Sequence, residues 1–409
     1  MAKGRKDSRG YVLHKGESER KDGRYSFSYT DKNRVRHTVY AKSLVELRKK
    51  ERKIIHDIEE GLDPHAAEKI TLNQLYDKYI SQKFDLRPTT KANYIYTYDH
   101  FVRNKIGNMK IKNIKYTDIK GFYYDLMIKD GIKVNSIENV HNQIHPALQM
   151  AVRDGYLRVN PSDGVLGEVK KSKYGKSRKR KALTKTQQKS FVNFVENEPK
   201  YRGWYPMIIF LLGTGCRIGE CIGMRWDDVD FDKKTITVDH ALTYRPNEKR
   251  EIEWAGAPTK TEAGTRVIPM LKDVEAALYE TFDIQRAIHA RPKTVGGYTN
   301  FIFTTLTGGP VNPESVNRAI RTITDDYNSR EEVKAKEEGR DPVLLPRFSA
   351  HNLRHTFCTR LCEHETNLKV IQEIMGHSDI QTTMNVYAEA TEERKQEIRI
   401  KLDDKILLK

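Results

Sequence analysis

From Lys170 to Lys181 the chain carries eight Lys/Arg, a glycine (Gly175) and, as its one ring-bearing side chain, Tyr174. Such a stretch cannot bury enough apolar surface to repay the entropy of ordering it, so the chain must fold as separate bodies on either side. With 409 residues there is room for two or three domains of ordinary size. Hydrophobic residues make up 37% of the chain, which supports packed cores and excludes wholesale disorder. Lys and Arg number 73 against 56 Asp and Glu, a formal charge of +17. That surplus favours a polyanionic partner, because each neutralised phosphate releases condensed counterions. A merely basic soluble protein has the same composition. No apolar run reaches membrane-spanning length, and the start (Met1-Ala-Lys-Gly-Arg5) lacks an apolar signal region, so a cytoplasmic protein is expected. The cysteines (Cys216, Cys221, Cys358, Cys362) suggest no secreted disulfide framework and read as reduced.

Residues 1–66 read as a small sheet backed by one helix. Residues 1–36 hold eleven Lys/Arg against five Asp/Glu. Tyr25, Phe27 and Tyr29 alternate as a strand, Asp31-Lys-Asn33 supplies a turn, and Arg34 to Tyr40 alternates again. Ser43 and Glu46 suit a capping box, and Leu44, Leu47, Ile54, Ile55 and Ile58 form a helical stripe ending at Gly61. The strand face with Arg34, Arg36 and Tyr40 suits a DNA groove; a solvated basic face explains the same charges equally well. Residues 67–168 read as helical. Leu72, Leu75, Tyr76, Tyr79 and Ile80 follow a Thr71/Gln74 capping box. Tyr94, Tyr98, Phe101 and Val102 repeat the pattern, as do Ile119, Phe122, Tyr123, Leu126 and Met127. A fourth helix is expected from Ser136 to about Asp154, kinked at Pro146. The tyrosine stripes read as core. Lys91, Arg103, Lys105, Lys110 and Lys112 lie outside them and are candidate phosphate contacts, with plain solvated charge as the alternative.

Residues 169–182 form the basic linker. Its Lys170, Lys171, Arg178, Lys179 and Arg180 suit a strap along a DNA backbone, or a solvated spacer. Residues 183–409 make the last region. Thr184 and Gln187 cap a helix, Trp204 to Leu212 is an apolar run suited to a core, and Thr235–Val238 and Arg266–Ile268 read as strands. Helices dominate from Pro313, and the charged span 325–343 reads as an exposed helix or insertion.

This last region also holds the residues that suit chemistry. Arg217, in Thr214-Gly-Cys-Arg-Ile-Gly-Glu220, follows a turn and opens a helix, where backbone amides favour an anion. An ordinary ion pair is the plain alternative. His351 and Arg354 are three residues apart and so share a helix face. His351 and His355 resemble half of a zinc site, but Asn352 stands where the H-E-x-x-H pattern requires Glu, and no metal is expected. Leu368, Ile371, Ile374 and Met375 form a stripe ending at Gly376, so His377 falls at a corner, with Ser378 and Gln381 capping the next helix. Ile380, Met384 and Tyr387 share one face of that helix, and periodicity alone makes Tyr387 an ordinary core residue. Pro258-Thr-Lys260-Thr and Ala263 to Pro269 read as a hairpin turning near Glu262–Thr265, with Lys260 beside the turn.

As an ordered set, Arg217, His351-Asn-Leu-Arg354, Gly376-His377-Ser378 and Asn385-Val386-Tyr387 resemble the tyrosine recombinase (phage-type integrase) family, in its conjugative-transposon branch. The resemblance runs nearly the full length. It implies a multidomain, mainly α fold with small β elements: an arm-type DNA-binding domain (1–66), a helical core-binding domain (67–168) and the recombinase catalytic domain (183–409). Carried over by position, Arg217 and Arg354 clamp the scissile phosphate and Lys260 protonates the leaving 5′-oxygen. His351 moves a proton, His377 hydrogen-bonds the phosphate, and Tyr387 becomes a 3′-phosphotyrosine. Neither ATP nor a metal cofactor is implied. The implied partners are double-stranded DNA at attachment sites and arm repeats, three further copies in a synaptic tetramer that passes through a Holliday junction, and, as accessory factors, an excisionase and a host DNA-bending protein. Asn352 and Gly219 depart from the family's commoner Asp and Ser. A type IB topoisomerase shares the chemistry, and a non-catalytic DNA-binding regulator shares the charge. The tail beyond Tyr387, with Ile398, Ile400, Leu402 and Ile406 to Leu408, suits docking on a neighbouring protomer or a frayed end.

Overall fold

The structure, a computed structural model, describes residues 5–30, 34–63, 68–172, 181–246, 251–259, 262–289 and 291–388. It divides into two compact units, Met1–Arg178 and Lys179–Lys409.

The first unit opens with an antiparallel sheet of β1 (Glu17–Glu19), β2 (Tyr25–Thr30) and β3 (Arg36–Ala41), in that order. Phe27 pairs with Glu17 on one side and Val39 on the other. Helix α1 (Leu44–Glu59) starts at Ser43, whose side chain accepts from the Glu46 amide, and Tyr25, Phe27, Ala41, Leu44 and Leu47 form the local core. Two expectations need correction. Arg34 precedes β3 in a left-handed conformation (φ 63°), so it does not share the strand face of Arg36 and Tyr40. The apolar stripe of α1 also fails in its second half: Ile55 is exposed, whereas Glu51 and Asp57 are buried. Polar partners explain the inversion: Arg158 holds Asp57 at 2.7 Å, and Glu51 hydrogen-bonds through its carboxyl to buried Glu17, which Arg48 holds at 3.0 Å. The turn at Asp31–Asn33 lies outside the described residues.

The helical part contains α2 (Leu72–Ser81), α3 (Pro88–Tyr98), α4 (Tyr116–Ile128), α5 (Val134–Arg153) and α6 (Val165–Lys171). The Thr71/Gln74 capping box forms on both sides. A π-turn, Asp99–Arg103, extends α3 and shifts its buried face, so Tyr98 and Val102 are core while Tyr94 and Phe101 are only half-buried. Tyr76 and Tyr98 stack at 3.6 Å in the interior, which makes them packing residues and not base platforms. Helix α5 begins at Val134 and continues through Pro146. Helix α6 buries Val165 and Val169, so Lys170 and Lys171 belong to its last turn and not to a linker. Arg178, Lys179 and Arg180 lie outside the described residues.

The second unit contains α7 (Lys185–Asn197), α8 (Tyr205–Thr214), α9 (Ile218–Gly223), β4 (Val229–Asp230), β5 (Thr235–Val238), β6 (His240–Pro246) and β7 (Ile252–Pro258). There follow β8 (Arg266–Pro269), α10 (Lys272–Ala287), α11 (Pro313–Glu338), α12 (Ala350–His364), α13 (Leu368–Met375) and a helical stretch over 380–388. Helix α8 is apolar around most of its circumference and is the centre of the core, as its composition requires. The expected hairpin over 258–269 does not form. Strand β7 pairs with β6, whereas β8 pairs with β5, opposite Thr235–Val238. Ile236, Val238 and Ile268 join the main core, while Leu242 and Trp254 pack with Ile222 in a separate small cluster. Each strand thus goes to the partner that buries its apolar face. The connecting loop is closed by a 2.8 Å contact between the hydroxyls of Thr259 and Thr265. The span 325–343 is integral and not an insertion: Tyr327, Glu331 and Ala335 are buried, and Arg340 folds back onto Glu331. No described helix is long and apolar enough to cross a membrane.

The buried tyrosine pair gives a stability test. The Tyr98 hydroxyl donates to Asn73 at 3.1 Å, but that of Tyr76 is buried without a partner among the described residues. Tyr98→Phe is expected to cost about 1 kcal/mol, and Tyr76→Phe to be neutral or stabilising by up to about 1 kcal/mol. Urea unfolding decides; equal losses in both variants would refute the assignment.

Candidate active site

Two glycine corners build the site. Helix α8 ends at Gly215 (φ 63°), and the chain reverses into Arg217, the N-cap of α9. Helix α13 ends at Gly376 (φ 62°), which places His377 at the turn. A Cβ on Gly376 would also meet the Ala263 carbonyl at 2.9 Å, so both conformation and space demand glycine there.

Arg217 and Arg354, 137 positions apart in the chain, meet at this second corner. Arg217 Nη2 donates to the Gly376 carbonyl at 2.9 Å, and Arg354 Nη2 to that of Met375 at 2.5 Å. Arg354 Nη1 ties back to the Gly215 carbonyl at 2.6 Å, joining the two corners. Arg354 is buried on α12, whereas the Arg217 side chain is 43% exposed, which leaves the cluster open on that side. Burial, with Arg217 and Arg266 nearby, depresses the Arg354 guanidinium to about 10. It remains charged at neutral pH.

One carboxylate balances this charge. Glu220 is buried and accepts from the Arg217 amide (2.9 Å), from Arg217 Nη1 (2.7 Å) and from Arg266 Nη2 (2.8 Å). Burial alone would raise its pKa, but the Arg266 bond and the charges of Arg266 and Arg217 outweigh it and hold it at about 2. Neither Glu220 nor Arg266 was among the predicted site residues. The available signal was strand alternation, which puts Arg266 on the inward face with Ile268.

His377 is buried, with Nδ1 3.0 Å from the Thr383 hydroxyl. Burial, followed by the charges of Arg354, Arg217, Arg266 and His351, pushes its pKa down to about 4. The imidazole is therefore neutral at pH 7, and when Thr383 donates to Nδ1 the Nε2–H is available to an anion. His351 lies exposed in the first turn of α12, one helical turn before Arg354.

This arrangement is a cationic, partly open pocket with fixed guanidinium donors and a neutral imidazole, the equipment for holding a phosphodiester. Comparison with known proteins agrees. The profile of the phage integrase family matches residues 181–394, and that of its N-terminal SAM-like domain matches residues 71–127. The profile of the DNA binding domain of Tn916 integrase matches residues 1–58. The transposase from transposon Tn916 of Enterococcus faecalis is 31% identical over 406 residues, covering 96% of this chain and 95% of its own. The chain belongs to the phage integrase family. It is a tyrosine site-specific recombinase, mainly helical with small sheets. Among solved structures, the Tn1549 transposon integrase in complex with transposon right end DNA is 30% identical with a TM-score of 0.68, covering 80% of this chain and 99% of that one. The same integrase in complex with a circular intermediate DNA matches at 29% and 0.69, covering 80% and 100%.

The remaining predicted residues of this integrase divide into three groups. Lys260 lies outside the described residues. Tyr387 lies on the 380–388 helix, half-buried against Cys358, Cys362, Ile371, Met375 and Val386. The face expected to bury it is not the buried face: Ile380 and Met384 are 38% and 43% exposed, and Thr383 and Val386 turn inward. Tyr387 therefore borders the core cluster that contains Met375, whose carbonyl Arg354 holds. The helix is capped by Asp379, not Ser378, through a 2.9 Å bond from the Gln381 amide. Among the DNA-directed cations, Arg103 is held by Asp99 (2.6 Å) and Asp77 (2.8 Å), and Lys170 by Glu138 (2.7 Å). Lys105 pairs with Asp130, and Lys112 with Glu68. Tyr40 is exposed beneath Arg20, whose guanidinium lies 5.1 Å from the ring centre. Lys91, Lys110 and Lys171 have no carboxylate partner among the described residues, and Arg36 is exposed. Neither zinc histidine enters a metal-competent group among those residues; the two such groups are His14, Glu17, Glu51 and Asp228, Asp239, His240. Asn352 caps α12 by accepting from Ser349, and a Cβ on Gly219 would meet the Leu242 carbonyl at 2.8 Å, so both departures have local causes.

A pH prediction follows from the two depressed groups. The unfolded chain binds the proton of His377 more readily than the folded one, so stability falls as pH drops from about 6.5 toward about 4. Glu220 adds a second loss between about 4.5 and about 2. His377→Asn is expected to flatten the first limb in urea melts. A histidine NMR titration giving His377 a pKa of about 6.5 or higher in the free protein would sink the argument.

Proposed function

We propose that this recombinase integrates and excises a mobile element of the conjugative-transposon type, cutting each DNA strand through a covalent tyrosine link. The observation that carries the reading is the meeting of Arg217 and Arg354 on successive carbonyls beside His377. Double-stranded DNA is the substrate, and the solved complexes of the Tn1549 integrase with transposon right end DNA and with a circular intermediate DNA support that choice.

In the proposed step, the phenolic oxygen of Tyr387 attacks the scissile phosphorus, forming a P–O bond as the bond to the 5′-oxygen breaks. Arg217 and Arg354 hold the non-bridging oxygens, and the charge that develops there in the transition state strengthens both contacts. The neutral His377 donates a hydrogen bond. His351, exposed at the mouth, receives the phenolic proton, and Lys260 gives one to the departing oxygen. One phosphodiester is exchanged for another, so the reverse attack by a new 5′-hydroxyl needs no external energy source. Residues 1–66 bind arm repeats, 67–168 grip the core site, and 183–409 carry the chemistry. Arg36, Tyr40, Lys91, Lys110 and Lys171 contact the DNA backbone directly, while Arg34, Arg103, Lys105 and Lys170, with Arg178, Lys179 and Arg180 of the linker, supply further positive charge. Four copies act in one synapse through a Holliday junction, in the cytoplasm, with an excisionase and a host DNA-bending protein as accessory partners.

The test uses nicked attachment-site DNA in EDTA, with the tyrosine adduct resolved by denaturing electrophoresis. Tyr387→Phe should bind DNA within about twofold of wild type and form no adduct. Arg354→Ala should lower the cleavage rate by about 100-fold or more. An adduct formed by Tyr387→Phe would overturn the assignment.

A further inference from the structure

We propose that Arg266 is a positioning residue for strand cleavage: its one guanidinium ties together the segments that present Arg217 and His377. The inference rests on the recombinase reading above. Arg266 opens β8 and is 7% exposed. Nη2 donates to Glu220 at 2.8 Å, and Glu220 in turn holds the Arg217 guanidinium. Nε donates to the Ile374 carbonyl at 2.9 Å, in the last turn before the Gly376–His377 corner. Nη1 donates to the Gly264 carbonyl at 3.0 Å, closing the turn that leads into β8.

These acceptors belong to α9, α13 and the loop before β8; the Arg217–Gly376 bond already joins the first two, and Arg266 braces that join and adds the loop to it. A planar guanidinium serves all of them in one fixed geometry. A lysine ammonium is a point charge on a flexible stem and cannot. Arg266 does not reach the open side of the cluster, because its side chain is sealed on Glu220. It therefore acts through other residues and not on the phosphate. Its removal should leave Glu220 buried with one cation fewer, free Ile374 and the corner from β8, and let both phosphate-facing side chains drift. Displacements of about 1 Å at such groups cost on the order of 100-fold in rate.

The experiment compares the full chain with Arg266→Lys, Arg266→Gln and the double variant Glu220→Gln/Arg266→Gln. DNA affinity, thermal midpoint and single-turnover cleavage of nicked site DNA are measured from pH 5.5 to 8.5. Arg266→Lys should keep the midpoint and DNA affinity near wild type yet cleave about 100-fold more slowly. Arg266→Gln should gain an acid limb, its rate rising with pH. Glu220 then faces Arg217 and Arg354 with the buried thiols of Cys216 and Cys221, without the partner that holds its carboxyl down. The double variant removes the unpaired carboxylate, so its midpoint should recover while its rate stays low. Arg266→Lys cleaving at the wild-type rate, or a double variant whose rate recovers with its midpoint, overturns the inference and leaves the recombinase reading intact. A wild-type chain that forms no adduct overturns both.

Discussion

The site depends on a charge problem. Three guanidiniums and an imidazole converge in a partly desolvated corner, where mutual repulsion is strong and burial of each charge is costly. One carboxylate, Glu220, meets Arg217 and Arg266 directly, and backbone carbonyls take up much of the rest. Both devices are incomplete by design of the chemistry: carbonyls are dipoles, and a single anion cannot balance three cations. The surplus positive potential is what a phosphate would complete, and it also explains why His377 stays neutral.

The backbone makes this convergence possible. Arg217 and Arg354 do not grip each other's elements through side chains but through the carbonyls of helix ends, groups that need donors in any case. Using orphan carbonyls as anchors ties the positions of Arg217 and Arg354 to the ends of α8 and α13. The left-handed glycines at those ends are then as much a part of the site as the charged side chains. A surface ion pair would give no comparable precision.

The helical part of the first unit follows a simpler logic. Its stripes of Leu, Ile and Tyr pack where their periodicity puts them, and the Thr71/Gln74 box starts α2 as read from the sequence. The misreadings share one cause. In α1, an ion pair from distant Arg158 pulls Asp57 inward, a carboxyl–carboxylate hydrogen bond to Glu17 does the same for Glu51, and Ile55 is left outside. In β7 and β8, each strand chooses a partner by the core available to it and not by nearness in sequence. Near Tyr387, Thr383 turns inward because His377 gives its hydroxyl a partner, and that rotates the expected apolar face toward solvent.

Local order was therefore legible in the chain itself: the Ser43, Thr71 and Thr184 caps, the glycine corner at Gly376, the placement of His351 one turn before Arg354, and the ordered motif set. These follow from backbone sterics and short-range periodicity, which act over a few residues. Folding alone decided that Arg217 and Arg354 meet at the Met375–Gly376 carbonyls, that Glu220 balances them, and that Arg266 is interior. Those outcomes come from desolvation and Coulomb forces between groups far apart in sequence, and no local pattern encodes which distant donor will find a given buried acceptor.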